Sequence, residues 1–512
     1  MKKLFLFLII TLFFAGCKEK SEKWIDNIIL SESKLFMAAS IDLNTIIKKS
    51  ELENSNNITS QQKLLFNAFN ASLKSSLLGF DIETPQKIFV VANDTNLDGA
   101  VFWVGEITSE FLFEKTLKNL FKTEELSNSN LNAFFINQYN AMVTFNEDYF
   151  IVGISSEKTF LESKSKSYFT IPKTTVDNPS LTNFLLNKDD VGFYVSNERI
   201  NHYENNYNSS TSSFKPSSFS SFDQFGKNFF GSINFLNGEI VLRIISDNSK
   251  NIIYKNIAVN SNFKKFVSFS ENPISFVFSN FNLSNSTLSQ NINFLYDYFP
   301  KDFIINQIFT SEEGVSSLTG EISILLFNDA KNDLNSETDE NLNDDYWEDD
   351  FTEENVKIDN LPSFLMSLAV KNNEVLSNYL KIVSDDFSLN QISSFNNSFV
   401  FLQNNFLHIS NNEQELRAFV QKKNLNTSTK INLTSFLKPL YGHVDLKETM
   451  KFLNLNNDNS MPFDINKLLN NISFSGNNEE FEFSLEYVDK NTNSVSSTID
   501  FMLQNNFLEA YL

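Results

Sequence analysis

The order of strands and helices predicted for the first half of the chain recurs about 255 residues later, and this recurrence limits the fold more than any other feature. The clearest pair is DYFIVGISSEKTFLESK at 148–164 and NNFLHISNNEQELRAFV at 404–420. In each segment a strand ends in Ile-Ser and a capped helix begins directly after it. The recurrence predicts two similar units, and the alternative is two unrelated domains that share common element spacings.

Alternating and helical hydrophobic patterns define the predicted elements. In the first half, strands are predicted at 35–42, 87–92, 100–107, 133–136 and 141–154, with helices at 43–52, at 61–78 and after a cap at Thr108 or Ser109. In the second half, strands are predicted at 274–281, 320–327, 364–370 and 398–402, with a mostly helical segment at 284–309 and a helix capped by Asn372 or Asn373. Both halves end in a hairpin, which Asn237-Gly238 marks in the first. The sequence therefore predicts an α+β fold of two similar repeats, each a mostly antiparallel sheet with helices packed on one face.

The N-terminus has the pattern of a secretory leader. Two lysines precede an apolar run at 4–14 and the small residues Ala15 and Gly16, and the run is too short to span a bilayer. Cys17, the only cysteine of the chain, follows at once. We expect a signal peptide at 1–16, a tether at 17–34, a first repeat at 35–260 and a second repeat at 261–512. For the leader, the alternative is an uncleaved anchor or a buried apolar helix.

Phe14-Ala15-Gly16-Cys17 resembles the bacterial lipobox. The resemblance implies cleavage before Cys17 and diacylglycerol on the Cys17 sulfur, with palmitate among the acyl chains. Lasting attachment to a membrane needs more than one acyl chain, and a lipidated, acylated cysteine supplies several. We therefore expect a lipid-anchored protein of the outer membrane, on its periplasmic side or at the cell surface.

The formal net charge is −22, and half of it lies in one segment. Residues 329–359 contain thirteen Asp and Glu against two lysines, a net charge of −11. A chain with this balance repels nucleic acids and anionic membrane surfaces, so neither is an expected partner. The segment is interpreted as an insertion between two strands, in which Tyr346, Trp347 and Phe351 are candidate contacts with a partner. A solvated loop is the alternative.

Several short motifs of the chain resemble those of a known protein family. Ile41-Asp42-Leu43 ends the first predicted strand, Gly79-Phe80-Asp81 precedes a strand that contains Phe89, and Gly320-Glu321-Ile322 opens a strand of the second half. Behind a lipobox, this order resembles a large uncharacterised family of Gram-negative, Bacteroidetes-type lipoproteins that is known as a domain of unknown function. The resemblance covers most of the mature chain, and no activity, catalytic residue or cofactor is carried over from the family to this chain.

Few residues have the spacing that catalytic or zinc sites need. His202, His408 and His443 stand far apart in sequence, which gives no support to zinc, haem or a His-based triad. Ser155 and Lys158 have Ser-x-x-Lys spacing, but the Lys-Thr-Gly motif that would accompany them is missing. The sequence therefore predicts no cofactor and no enzyme.

Asp94, Asn96 and Asp98 form the best candidate for an ion site. With Gly99 at the sixth position, these oxygen ligands copy the opening of a calcium-binding loop. The twelfth position is Gly105 instead of the bidentate Glu, and strands instead of helices are predicted on both sides. A polar hairpin turn is the preferred interpretation, and no metal site is predicted.

Together these features predict a non-enzymatic lipoprotein of the cell envelope that binds or scaffolds an extracytoplasmic partner. Binding is expected on exposed sheet or in a groove between the halves. The alternative is a carrier or sensor of a lipid-like apolar ligand, because curved sheets covered by helices can enclose an apolar cavity and the chain contains 55 Phe residues. An enzyme is the third possibility, and it would need acidic residues from distant positions to converge.

Overall fold

The computed structural model describes residues 24–51, 59–60, 63–64, 67–68, 71, 78–92, 99–126, 131–170, 178–200, 227–246, 269, 273–281, 304–327, 363–395, 398–421, 438–452 and 465–504. The chain divides into two compact units: unit 1 comprises Met1–Asn251 and Glu479–Leu512, and unit 2 comprises Ile252–Asn478. Residues 479–512 therefore belong with the first 251 residues, although the sequence analysis placed them in the second repeat.

Unit 1 contains eleven of the described strands, all paired antiparallel. They are β1 (Leu35–Ile41), β2 (Gln86–Val91), β3 (Ala100–Glu106), β4 (Glu124–Glu125), β5 (Asn132–Ile136), β6 (Ala141–Phe145), β7 (Tyr149–Ile154), β8 (Val191–Ser196), β9 (Asn228–Leu236), β10 (Glu239–Ser246) and, from the C-terminal part of the chain, β19 (Glu480–Tyr487). Their order is β4-β5-β6-β7-β3-β2-β1-β8-β9-β10-β19.

Unit 2 contains eight described strands, again all antiparallel. They are β11 (Pro273–Asn280), β12 (Leu318–Phe327), β13 (Ser363–Val370), β14 (Ser393–Phe395), β15 (Ser398–Gln403), β16 (Phe406–Ser410), β17 (Leu440–Asp445) and β18 (Leu469–Gly476). Their order is β14-β15-β16-β13-β12-β11-β17-β18. The α+β class and the antiparallel strand pairing predicted from the sequence are confirmed.

The described helices of unit 1 include α1 (24–31), α2 (Leu43–Ser50), α3 (Glu110–Leu120), α4 (Lys158–Tyr168), α5 (Pro179–Leu186) and α11 (Ser494–Gln504), with a 3-10 turn at Asn137–Tyr139. Those of unit 2 are α6 (Ile304–Thr310), α7 (Glu312–Ser317), α8 (Asn373–Val383), α9 (Glu413–Val420) and α10 (Leu446–Phe452), with a 3-10 turn at Ile465–Lys467. Within the described part of the chain, every helix is too short or too polar to cross a membrane.

Helices cover both faces of each sheet, which corrects the prediction that they pack on one face. In unit 1, Phe102 of β3 packs in one core with Leu161 of α4, and its neighbour Trp103 packs in another core with Phe113 of α3. Successive side chains of a strand point to opposite faces, so these two cores lie on opposite sides of the sheet.

Unit 2 shows the same arrangement around β13. Met366 packs with Leu376 of α8, while Leu365 packs with Leu416 of α9 on the other side. All eight residues of β13 are buried. The near-continuous apolar sequence of β13 is typical of a strand buried on both faces, and the alternation expected for a half-exposed strand is absent from it.

Local signals in the sequence placed several elements correctly. The α3 helix begins at Ser109, whose hydroxyl accepts the backbone N–H of Leu112, and α8 begins at Asn372, whose side chain accepts that of Glu374. The turn between β9 and β10 contains Gly238 with φ of 70°, as the Asn-Gly signal predicts.

The acidic insertion predicted at 329–359 lies outside the described residues, but the strands on either side of it are described. Phe327 at the end of β12 is the direct register partner of Ser363 at the start of β13. The two strands are therefore paired at the point where the chain leaves the sheet and returns, so the sheet does not need the intervening residues to bring its strands together.

Deletion of residues 332–355 should consequently leave the melting temperature of the protein within about four degrees of the wild-type value, since shortening the connection between two paired strand ends to about a third changes its closure free energy by only about 1 kcal/mol. The deletion removes eleven carboxylates and no lysine or arginine, which brings the formal net charge from −22 to −11. Differential scanning calorimetry measures the change. A fall of ten degrees or more would contradict the prediction and would mean that the segment contributes to a core.

Candidate binding surface

Three neighbouring strands of unit 1 carry an apolar surface. Ile240 and Leu242 of β10 face Phe235 and Ile233 of β9 across one edge, and they face Leu485 and Phe483 of β19 across the other. Directly opposite residues of antiparallel strands share a face, so these six side chains form one surface, here called the apolar face. Each of them is half-buried.

The apolar face continues into a buried cluster. At the next position along the strands, Ile244 is buried and packs with Phe229 and Phe481. Gly231, the β9 partner of Ile244, lets the ring of Phe193 lie against its backbone. Packed side chains around Ile244 thus fix one end of these strands, and the half-buried residues of the apolar face lie next to this buried cluster.

The opposite face of β10 and β19 carries a charged cluster. Arg243 Nη2 lies 3.0 Å from Glu482 Oε2, and its Nε lies 3.2 Å from Glu480 Oε1. The hydrogen bond with Glu482 raises the pKa of Arg243, with the nearby charges of Glu482 and Glu480 acting in the same direction. These residues are solvent-accessible, so their main effect is to make this face polar, and each pair adds roughly 0–1 kcal/mol of stability at most. The sequence alternation in β19 therefore separates one polar face from one apolar face.

A second feature of unit 1 is the attachment of α1 to the sheet. Ile25, Ile28 and Ile29 are buried in the main core of unit 1, and Asp26 forms an ion pair with Lys87 of β2. Residues 24–34, which the sequence analysis assigned to the tether, include this helix and the turn that leads into β1. The folded body of unit 1 thus begins no later than Trp24.

Glu32 joins the end of α1 to α4. It is 8% exposed, and its Oε2 accepts hydrogen bonds from Lys164 Nζ at 2.7 Å and from the Tyr168 hydroxyl at 2.8 Å. Burial raises the pKa of Tyr168, and the negative charge of Glu32 raises it further, so this hydroxyl stays protonated and donates. Because every buried polar atom of this group has a partner, we interpret it as a structural cluster and not as a catalytic one.

The residues predicted as sites are only in part within the described chain. Cys17 lies outside it, and so do Asp94, Asn96 and Asp98. The strands that flank the calcium-like loop are described: Val91 of β2 pairs antiparallel with Ala100 of β3. The loop therefore connects two paired strands, whereas a calcium-binding loop of the helix–loop–helix type connects two helices.

The histidines are not brought together where the structure describes them. His408 contacts Phe419 with 5.1 Å between ring centroids, and His443 stacks on Phe276 at 5.4 Å. His202 lies outside the described residues. Among the described residues, no group of three or more His, Cys, Asp or Glu side chains is placed to hold a metal ion.

Ser155 and Lys158 make separate contacts. The Ser155 hydroxyl donates to the carbonyl oxygen of Gly99 at 3.3 Å and accepts the backbone N–H of Glu157. Lys158 Nζ lies 3.5 Å from Glu124 Oε2 and 4.3 Å from the centroid of the Phe135 ring. Each side chain stabilises its own surroundings, and the contacts give no indication of a Ser–Lys catalytic pair.

The apolar face is the feature that the sequence analysis did not locate. The alternation of apolar and charged residues in 480–487 predicts a strand with one apolar face. It does not identify the neighbouring strand, because β10 and β19 are more than 230 residues apart. An apolar surface across three strands depends on that pairing. The signal present in the sequence is the alternation within 480–487, which places charged residues on one face of that strand and apolar residues on the other.

Comparisons with known proteins identify no family for this chain. No protein-family model matches it. No curated protein matches it. Two solved crystal forms of TP0453, forms III and I, align at 9% identity over 47% of this chain and over 84% and 83% of their own, with TM-scores of 0.25 and 0.24. A third, form IV, aligns at 9% identity over 43% of this chain and 79% of its own, with a TM-score of 0.25. Similarity at this level supports no statement on fold or function.

Proposed function

We propose that this chain is a non-enzymatic lipoprotein of the cell envelope, anchored through Cys17 in the outer membrane, which binds an extracytoplasmic protein partner on the apolar face of unit 1. The observation that carries the proposal is the half-buried apolar surface shared by β9, β10 and β19. Interfaces between proteins combine an apolar centre with a polar rim, and exposed aromatic side chains often contribute most of their affinity.

The proposal includes a duplicated architecture. In unit 1 the strands follow the order β6-β7-β3-β2-β1-β8-β9, and in unit 2 they follow the order β15-β16-β13-β12-β11-β17-β18. Numbered from the first strand of each unit, the two orders are 6-7-3-2-1-8-9 and 5-6-3-2-1-7-8. They follow the same course except that unit 1 has two strands, β4 and β5, where unit 2 has β14 alone. Equivalent helices, α3 with α8 and α4 with α9, begin after equivalent strands. These agreements support two repeats that arose from one ancestral unit.

Unit 1 is the candidate for partner binding because it contains the apolar face and the segment that follows the lipid signal. Phe483 of β19 is one of the two phenylalanines of the apolar face, and it lies directly opposite Leu242 of β10. Its truncation would remove apolar contact area without disturbing the buried cluster around Ile244. The alternative function, a carrier of a lipid-like apolar ligand, would use the same surface, so the test has to separate a protein from a lipid.

Site-specific photocrosslinking in intact cells makes this separation. A photoreactive side chain at Phe483 is expected to yield crosslinks to another protein, whereas the same side chain at Glu482, one position earlier and on the charged face, is the matched control and should yield few. Crosslinks from Phe483 to lipid would instead favour the apolar-ligand alternative. If the two positions give the same products in the same amounts, the apolar face is not the binding surface.

The lipid anchor has its own test. In Cys17→Ser the sulfur that would carry diacylglycerol is absent, and the protein should move from the membrane fraction to the soluble fraction nearly completely, because the acyl chains proposed to hold it in the membrane are missing. Membrane fractionation followed by immunoblotting measures the distribution. Tight membrane association of Cys17→Ser would show that Cys17 does not anchor the protein. The crosslinking experiment would still test the apolar face independently.

A further inference from the structure

Three aromatic side chains surround the point where the chain enters unit 1. The ring of Trp24, the first described residue, stacks on Tyr149 with 4.1 Å between centroids and an interplanar angle of 17°. Phe169, just after α4, lies 5.4 Å from Trp24. All three are half-buried, so each has one side in the protein and another accessible to solvent. We refer to these residues as the Trp24 cluster.

We propose that the Trp24 cluster seats unit 1 against the bilayer interface next to the lipid anchor. The proposal rests on the proposed lipidation of Cys17. It identifies a surface and a partner that the lipidation does not itself imply, because a lipid anchor alone leaves a folded body free to stand away from the membrane.

The first support is the distance that the chain permits. Seven residue steps separate Cys17 from Trp24, and a fully extended chain covers at most about 3.6 Å per step, or about 25 Å in all. The residue at the end of this segment is fixed to the body, because Ile25, Ile28 and Ile29 are 3%, 0% and 0% exposed. The surface that carries Trp24 is therefore the part of unit 1 that is held closest to the lipid.

The second support is the chemistry of the cluster. Trp and Tyr combine an apolar ring with a polar N–H or O–H group, and they are enriched at the headgroup level of membrane proteins for this reason. Burial raises the pKa of Tyr149 to about 12, and the charges of Asp148 and Glu106 act in the same direction. A tyrosine hydroxyl is uncharged at physiological pH even at its ordinary pKa of about 10, so the Tyr149 hydroxyl can lie among headgroups without carrying a charge.

The charges nearby define the kind of lipid surface. Glu147 and Asp148 are exposed in the turn directly before Tyr149 and would repel anionic headgroups, while the three lysines of 18–23 are largely offset by Glu19 and Glu22. The expected surface is therefore zwitterionic, and apolar contact rather than charge attraction holds the cluster there.

Tryptophan fluorescence can test this seating, because the chain contains only Trp24, Trp103 and Trp347. The full-length lipidated protein is reconstituted into phosphatidylcholine vesicles that carry bromine near the headgroup end of the acyl chains. In the Trp103→Phe, Trp347→Phe double variant, only Trp24 emits, and we expect bromine to quench at least half of that emission. The matched control is Trp24→Phe, Trp347→Phe, in which Trp103 alone emits; its indole N–H donates to Gln86 at 3.1 Å, and we expect no quenching.

Flotation of the same vesicles distinguishes a failure of the proposed membrane contact of the Trp24 cluster from a failure of the proposed lipid anchor. Protein that floats with the vesicles while Trp24 is unquenched would retain the lipid anchor and overturn the seating. Protein that does not float would overturn the anchor, and the seating that depends on it falls as well. Should the double variant fail to fold by circular dichroism, the wild-type chain replaces it: between about one sixth and one third of its emission should be quenched if the three indoles emit equally, and none if the seating is wrong.

Discussion

A chain that ends at Asn478 should lose the thermal unfolding transition of unit 1 while the transition of unit 2 survives. Residues 479–512 are the last in the sequence, but they complete the unit formed by the first 251 residues. Seven residues of β19 pair with β10, from Glu239–Glu486 to Ile245–Glu480. Without them the ladder groups of β10 on that side lose their partners, and the half-buried Leu242 loses the Phe483 ring beside it.

The expected loss is large in relation to the stability of a domain. Tyr487 and Phe501 are 2% and 9% exposed, and full burial of a large apolar side chain contributes about 1.5–3 kcal/mol. The free energy lost with the two side chains and the strand is therefore comparable to the total unfolding free energy of a typical domain, about 5–15 kcal/mol. Unit 2 contains none of these residues, so its core should be unaffected.

Differential scanning calorimetry of the truncated chain, followed by limited proteolysis and mass spectrometry, identifies the unit that is lost. The deletion of residues 332–355 is the matched control, because it also shortens the chain by tens of residues but lies between the paired ends of β12 and β13. Protease cuts should appear within 24–246 in the truncated chain and not in the control. Survival of both transitions at wild-type temperatures would mean that β19 and α11 add nothing to unit 1.

Features that depend on a few consecutive residues were predictable from the sequence. The caps at Ser109 and Asn372 and the turn at Gly238 each arise from one side chain or one backbone angle acting on its nearest neighbours. The helix at 24–31 was also available in the sequence, because Ile25, Ile28 and Ile29 have the spacing of a buried helical face. The tether expected at 17–34 did not take this spacing into account.

Features that depend on distant partners could not be predicted. The apolar run in β13 indicates burial on both faces but does not identify α8 and α9 as the covering helices. The alternation in β19 separates a charged face from an apolar one, but it contains no information that β10 is the neighbouring strand. The candidate binding surface results from that pairing, so it becomes visible only in the fold.

Gly79→Ala should destabilise unit 1 by about 3 kcal/mol or more, because two separate costs combine at this residue. Gly79 has φ of 85°, which residues with a Cβ rarely adopt. A Cβ on it would also lie 2.6 Å from Cα of Phe113 and 2.8 Å from the carbonyl carbon of Leu112, which are backbone atoms of α3 and cannot rotate away. The start of α3 is tied to the same residue, since the Gly79 carbonyl oxygen accepts the N–H groups of Thr108 and Ser109 at 2.9 and 3.2 Å.

Gly99→Ala is the matched control for this substitution. A Cβ on Gly99 would meet the Val91 carbonyl oxygen at 3.4 Å, an ordinary van der Waals distance, so its effect should be within about 1 kcal/mol. Urea titration of both variants, followed by circular dichroism, gives the two free energies of unfolding. Because α3 covers the core that contains Phe113 and Phe150, movement of α3 away from Gly79 would also expose that core. Equal stabilities of the two variants would show that α3 can shift at little cost, and the close packing of Gly79 against α3 would then not be a constraint on the fold.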